Sequence, residues 1–209
     1  GLAVGGSGDL FIVELGSGLI RRVDAASGII TTVAGGGIGN PMKKIFGDGG
    51  PAIEAWIRQP TAAAVDGDGN LYIATDNRIR KVDSATGIID TFAGTGERGV
   101  EGDGGPATSA GLAEPASIAL DSQGNVFIAD RDNHRVRRVD GSTGIISTVA
   151  GIGRYAERSA AYYYVGVSGG AGPINLIGAQ GEGYSGDGGP ATDAALSVPS
   201  GIAFGPDGG

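Results

Sequence analysis

Three copies of Gly-Asp-Gly-Gly-Pro-Ala, beginning at Gly47, Gly102 and Gly186, set an aspartate in the same local surroundings three times. Two kinds of chemistry are open to such carboxylates. Gathered in a ring, Asp48, Asp103 and Asp187 would attract a cation. Kept apart, each would cap its own turn, or the short helical turn that the proline starts, as at Pro106-Ala107-Thr108. Recurrence in every copy favours the structural role. A second acidic stretch, Asp66-Gly67-Asp68-Gly69-Asn70, opens like a calcium loop. Such a loop needs a bidentate Glu at its twelfth position, and that position is Asn77, so the stretch reads as a hairpin turn.

The other reactive types are sparse. His134 is the one histidine in 209 residues, and a lone imidazole can act as a base or as a structural hydrogen-bonding group. Asp130, Asp132, Asn133 and His134 form a polar run between two apolar strands and are candidates for contacts on a loop face. Arg21-Arg22, Arg80-Lys81 and Arg137-Arg138 make a repeated basic stripe. Each pair lies close to an aspartate (Asp24, Asp83, Asp140), which predicts local ion pairing on a solvated strand. Five of the six tyrosines, Tyr155, Tyr162, Tyr163, Tyr164 and Tyr184, fall in one stretch. Clustered tyrosines offer contact area at low entropic cost, which suits an interface with a partner. The same stretch could also fold back over its own surroundings. No Ser-His-Asp set, phosphate loop or paired carboxylates stand out. Gly35-Gly36-Gly37-Ile38-Gly39 has no following helix to make a dinucleotide site. No metal and no cofactor is expected.

These residues are carried by an internal repeat. Val-Asp pairs at Val23, Val82 and Val139 give periods of 59 and 57 residues. The Gly-Asp-Gly-Gly-Pro-Ala copies are separated by 55 and then 84 residues, which places an insertion of about 27 residues between Gly151 and Gly186. Each repeat reads as four strands. Strand a is short and apolar (Ala62–Val65, Ser117–Leu120, Gly201–Phe204). Strand b contains an aromatic (Leu71–Ala74), strand c alternates basic and apolar residues (Arg78–Val82, Arg135–Val139), and strand d mixes Ile and Val with Thr and Ser (Ile88–Ala93, Ile145–Ala150). Gly in the a–b and c–d turns supplies the positive φ that tight hairpins need. Four antiparallel strands with Gly-rich turns make a propeller blade, so the fold class is all-β.

The triad Asn133-His134-Arg135 resembles the NHL repeat signature. The second repeat has Asp76-Asn77-Arg78, two residues shorter, and the first has Gly16-Ser17-Gly18-Leu19. The Gly-Asp-Gly-Gly-Pro-Ala-Thr element, followed by Leu112 and Pro115 or by Leu196 and Pro199, resembles the NHL arrays of bacterial secreted and surface proteins and of teneurin-like proteins. The resemblance implies NHL-type four-stranded blades, roughly 1–35, 61–94 and 116–151, with a further blade starting at 200–209 and an insertion loop over 152–185. That is about 3.7 blades of about 57 residues, expected to belong to a larger propeller of six or so and not to close a ring alone. Related propeller lyases bind zinc through several histidines, which one histidine cannot reproduce.

A net charge of −8 disfavours phosphate backbones and anionic bilayer surfaces, so neither nucleic acid nor membrane insertion is expected. There is no cysteine, hence no disulfide and no thiolate zinc site. The function that fits is a non-catalytic protein-binding or assembly scaffold within a larger extracellular, envelope or periplasmic protein. Its partner would be the remainder of its own propeller or another subunit. The alternative is a propeller enzyme, of lyase or calcium-dependent hydrolase type, whose site residues lie mostly outside this segment.

Overall fold

The computed structural model describes residues 1–39, 46–153 and 187–204. Its strands form three antiparallel sheets, each built on a four-stranded meander in chain order. The first holds β1 (Leu2–Val4), β2 (Leu10–Glu14), β3 (Leu19–Val23) and β4 (Ile30–Ala34). The second holds β6 (Pro60–Val65), β7 (Leu71–Thr75), β8 (Arg78–Val82) and β9 (Ile88–Ala93), with a two-residue strand β5 (Gly50–Pro51) added outside β9. The third holds β10 (Pro115–Leu120), β11 (Val126–Asp130), β12 (Arg135–Val139) and β13 (Ile146–Ala150). The protein is an all-β propeller array of four-stranded blades. Residues 201–204, where a further strand a is expected, carry no strand.

The repeat fixes the register. Phe11 pairs with Arg22, Tyr72 with Lys81 and Phe127 with Arg138, so the three aromatics occupy one position in three blades. In each blade strand c carries a register shift against strand d, between Ile20 and Arg21, Ile79 and Arg80, and Val136 and Arg137. Ile79 and Val82, three residues apart, lie on opposite faces of strand c, and both are buried because one face packs on the third blade and the other on the first. Gly8, Gly69 and Gly124 take φ of 87°, 83° and 79° in the three a–b turns, as the hairpin chemistry requires. The acidic turn at Asp66 is a hairpin turn: its carboxylate accepts the Asp68 and Asn70 backbone N–H groups at 3.1 and 2.8 Å.

Apolar burial runs between blades. Ile20 and Ala34 of the first blade pack with Leu71, Ile73, Val82 and Ile89 of the second. The opposite face of the second blade, with Tyr72, Ala74, Ile79 and Ala93, packs with Ile118, Val126, Ile128 and Ile146 of the third. The middle blade is therefore covered on both faces, and all five residues of β7 are buried. A fully buried Ile contributes about 1.5–3 kcal/mol, so blade-to-blade packing outweighs anything the turns supply.

Candidate functional site

A meander leaves its b–c turns and its d-to-a crossings at one end of each blade, and that end held the polar candidates. Their geometry begins with the crossings. After strand d, Gly94 donates its N–H to Ala107 O at 2.8 Å and Thr95 to Ala110 O at 3.0 Å. Gly35 to Ala52, at 2.9 Å, repeats the first bond one blade earlier. The Gly-Asp-Gly-Gly-Pro-Ala segment then runs along the outer strand of the next blade. Gly49 donates to Ile89 O and Ala52 to Gly87 O, both at 2.9 Å; Gly104 donates to Ile146 O at 2.8 Å and Ala107 to Gly144 O at 2.9 Å.

The aspartates of these segments do neither of the two things their recurrence predicted. The 3-10 turns after Pro51, Pro106 and Pro190 have no side-chain cap, and no cluster of metal-ligating side chains occurs among the described residues. Asp48 pairs with Arg80 and accepts from Thr91 Oγ1 at 2.7 Å. Asp103 accepts from Arg137 Nη2 at 2.6 Å. Both arginines lie on strand c of the following blade. The expectation of a uniformly solvated basic strand is therefore corrected: Arg80 and Arg137 are fully buried, while their neighbours Lys81 and Arg138 are half-buried. A strand alternates faces, and one face of strand c lies under the crossing. Arg138 does make the expected local pair, with Asp140 at 3.0 Å, and Arg22 pairs with Asp24 at 3.3 Å.

Each buried guanidinium also reads the crossing's backbone. Arg80 Nη1 donates to Phe46 O and Trp56 O at 3.1 and 3.4 Å; Arg137 Nη1 donates to Glu101 O and Gly111 O at 3.4 and 2.8 Å. A planar fork of donors suits this simultaneous grip on a carboxylate and two carbonyls. Burial raises the Asp103 carboxyl, but hydrogen bonds from Thr148 and Arg137 outweigh it and hold the group below the ordinary carboxylate range.

The b–c turn of the third blade is equally engaged. Asp130 is completely buried and accepts the Ala113 N–H at 2.7 Å and Asn133 Nδ2 at 2.8 Å, with Arg135 Nε at 3.4 Å. Burial pushes its carboxyl above the usual range despite those contacts. Asn133 Nδ2 also donates to Gly99 O at 2.6 Å. His134 is buried, takes φ 53°, and accepts the Val198 N–H on Nδ1 at 3.1 Å. Asp132 stands further out and pairs with Arg98 and with Arg131 Nε at 3.0 Å. Of the four loop-face candidates, then, three are buried in contacts between connections and Asp132 is partly exposed. Tyr155, Tyr162, Tyr163, Tyr164 and Tyr184 lie outside the described residues.

Sequence reading missed Thr91 as a partner of Asp48, and Arg98 as a partner of Asp132. It also missed three left-handed residues, Gln59 (φ 47°), Glu114 (φ 51°) and Val198 (φ 47°), each just before a proline; Pro60 and Pro115 open the strands a of the second and third blades. Their recurrence before Pro60, Pro115 and Pro199 was the available signal. No helix among the described residues is long and apolar enough to cross a membrane.

Two family models match the chain: the NHL repeat over residues 112–139 and the teneurin NHL domain over residues 36–101. The Arabidopsis thaliana protein SUPPRESSOR OF QUENCHING 1, chloroplastic, is 29% identical over 140 residues, which is 65% of this chain and 13% of that protein. A probable peptidyl-alpha-hydroxyglycine alpha-amidating lyase of Caenorhabditis elegans is 26% identical over 184 residues, 81% of this chain and 47% of the other. A crystal structure of a Bacteroides thetaiotaomicron protein shares the fold, with TM-score 0.54 and 19% identity over 72% of this chain and 35% of that one. The chain thus spans less than half the length of either curated relative.

Proposed function

We propose that this chain, an array of NHL repeats, is a non-catalytic protein-binding or assembly scaffold within a larger extracellular or envelope protein. One observation carries the reading. Two recurring pairs, Asp48 with Arg80 and Asp103 with Arg137, are engaged in fastening a crossing to the blade that follows it. What remains to differ between blades is the crossing itself. From Gly35 to Gly47 and from Gly94 to Gly102 it takes 12 and 8 residues, whereas from Gly151 to Gly186 it takes 35. A long tyrosine-rich elaboration on a rigid frame suits recognition, because the frame holds position while the loop supplies contact area. Residues 152–185 are accordingly read as an inserted binding loop, with Tyr155, Tyr162, Tyr163, Tyr164 and Tyr184 as its contact residues. The envelope location draws on the match to the teneurin NHL domain.

The test is a binding comparison. A partner is identified by photo-cross-linking from position 163, purified, and titrated with the parent chain and with a variant lacking residues 155–182. The reading expects binding to fall by at least about 100-fold, roughly the loss of an interface's central anchors. Unchanged affinity would remove the loop from the interface.

A second reading has one observation in its favour, the match to the amidating lyase over 81% of this chain. An enzyme of that kind would draw its site from several blades around the propeller axis. Metal analysis of the purified chain, followed by assay on a peptidyl-alpha-hydroxyglycine substrate, discriminates the two.

A further inference from the structure

Arg78 opens strand c of the second blade and Arg135 opens strand c of the third. Each pairs across the b–c turn with the last residue of strand b, which is Thr75 in the second blade and Asp130 in the third. Both arginines are more than nine-tenths buried, with 8% and 7% exposure. In the first blade the position is Leu19, opposite Glu14, so no cation needs a partner there.

Arg135 is well supplied. Its Nε meets Asp130 and its Nη1 meets Thr148 Oγ1, both at 3.4 Å; Nη2 donates to Val100 O, and Asp103 stands 3.9 Å from Nη1. Arg78 makes no hydrogen bond or ion pair among the described residues, and its Nε is sealed from solvent without a partner. The reasons are local. Thr75 puts a hydroxyl where Asp130 has a carboxylate, and donates it to Arg58 O. Thr91, the counterpart of Thr148, donates to Asp48. Asp76 contacts Arg58, at 3.5 Å. Arg78 instead has the ring of Phe46, 4.3 Å from Cζ to the centroid, and the backbone of Gly96, where a Cβ would lie 1.7 Å from Nη2. A ring face offsets part of a buried cation's desolvation but accepts nothing in the plane of the guanidinium. A buried charge without an ionic partner is costly, and a fold that keeps one calls for a reason.

We propose that Arg78 anchors a binding site for an external carboxylate at the b–c end of the second blade. The occupant's chemistry follows from the third blade, where the same arginine position is satisfied by a carboxylate from within the chain. The Phe46 ring covers one face of the Arg78 guanidinium, so the approach is along its edge, at Nη1 and Nη2, which unlike Nε are not sealed. A planar carboxylate matches that edge with two parallel bonds. One negative charge balances one guanidinium. A doubly charged phosphate would add repulsion from Asp76 and Asp48 in a chain of net charge −8. The carboxylate is that of an acidic side chain or of a chain terminus. Both neighbours of the second blade are in place, so the unpartnered arginine belongs to a fully flanked blade. The inference does not rest on the tyrosine-rich loop.

The probes are acetate, the α-amide of N-acetylaspartate and N-acetylglycine, each titrated into the 209-residue chain against chloride at matched ionic strength. The Arg78 Nε–Hε and Gly96 amide signals in NMR spectra report binding. Saturable shifts are expected, with half-saturation on the order of 1–10 mM for one charge-assisted pair. Tighter binding of the aspartate probe assigns an acidic side chain as the source, and tighter binding of N-acetylglycine assigns a chain terminus; either supports the site. Arg78→Met should abolish the response and leave Tm unchanged or higher, because an apolar side chain replaces an uncompensated cation. Thr75→Asp supplies from within what Asp130 supplies to Arg135; it should raise Tm and weaken acetate binding at least about tenfold. The proposal is overturned by absence of saturation up to about 100 mM, by an equal response to chloride, or by tighter binding of inorganic phosphate than of acetate. It is also overturned if Arg78→Met keeps the acetate response, or if its Tm falls by more than about 5 °C, which would make the guanidinium part of the core. Should that variant fail to fold, Thr75→Asp decides: acetate affinity equal to the parent's would place the carboxylate elsewhere.

Discussion

Asp103 and Arg137 lie 34 residues apart on either side of a blade boundary, with Oδ1 and Nη2 2.6 Å from each other. The arginine is fully buried and the aspartate is 41% exposed. Removing the carboxylate therefore leaves a buried cation whose nearest remaining carboxylate is Asp130, 4.0 Å away and itself buried. Asp103→Ala should cost about 1–3 kcal/mol, reduced from the usual figure for a buried pair because the carboxylate is partly wet. In a cycle with Arg137→Met, urea unfolding should give a coupling energy above about 0.5 kcal/mol. Strict additivity would deny the clamp.

Two isoleucines at different depths make a second, paired test. Ile79 is fully buried in the blade covered on both faces, while Ile30 is 46% exposed. Ile79→Asp should destabilise by about 4 kcal/mol or more, combining a lost side chain with an unpaired buried charge. Ile30→Asp should cost about 1 kcal/mol or less. Thermal unfolding of the two variants side by side checks the order, and a similar Tm for both would contradict the burial pattern.

A third comparison separates backbone strain from steric crowding. Gly87 and Gly94 both have positive φ, at 70° and 89°. A Cβ on Gly87 would meet nothing within 4 Å, whereas one on Gly94 would lie 2.4 Å from Asn77 O and 2.8 Å from Arg78 Cα. Gly87→Ala should cost about 1–2 kcal/mol from conformation alone. Gly94→Ala should cost clearly more, because strand c must move. Equal losses in chemical denaturation would show that the crossing yields freely at that point.

The strand pattern was open to sequence reading because each repeat repeats its errors and its rules alike. Strand c at Arg78–Val82 and Arg135–Val139, and strand d at Ile88–Ala93, lie where the apolar spacing set them. The partners of the charged residues were not legible. Asp24 and Asp140 find neighbours two residues away, which spacing shows. Asp48 and Asp103 find theirs 32 and 34 residues later, on a different blade, and no local pattern encodes which face of strand c a crossing will cover. The same limit hid Asp130, whose polar run looked like a solvent-facing turn and is sealed by Ala113 and Asn133.

Acid should loosen the c–d turns. Hydroxyl hydrogen bonds from Ser27, Thr86 and Ser142, with backbone N–H groups, hold Asp24, Asp83 and Asp140 below the ordinary carboxylate range. A depressed folded pKa means the contribution is present above the unfolded value of about 3.9 and is lost as pH falls through the lower, folded values. Stability from urea titrations should therefore decline as pH drops below about 4. The double variant Asp83→Asn, Asp140→Asn should be less stable at neutral pH and show a shallower acid slope. A variant with the parent's slope would place the linkage elsewhere.

The boundaries of the long crossing predict how the blade array responds to its removal. Gly151 donates to Ala191 O at 2.9 Å and Ile152 to Ala194 O at 3.0 Å. These are the bonds that Gly94 and Thr95 make to Ala107 and Ala110 in the short crossing, at 2.8 and 3.0 Å. The two ends are thus brought to the same places whether few or many residues lie between them. Deleting residues 155–182 leaves 7 residues from Gly151 to Gly186, close to the 8 from Gly94 to Gly102, so the span is already bridged by that length elsewhere in the chain. Loop-closure entropy falls with a shorter loop, by about 0.6 kcal/mol for each halving, so the deletion should leave stability unchanged or raise it by about 1 kcal/mol. Calorimetry of parent and deletion variant measures this directly. A loss of more than about 2 kcal/mol would mean that the removed residues pack on the blades and contribute to the core, since entropy alone acts in the opposite direction.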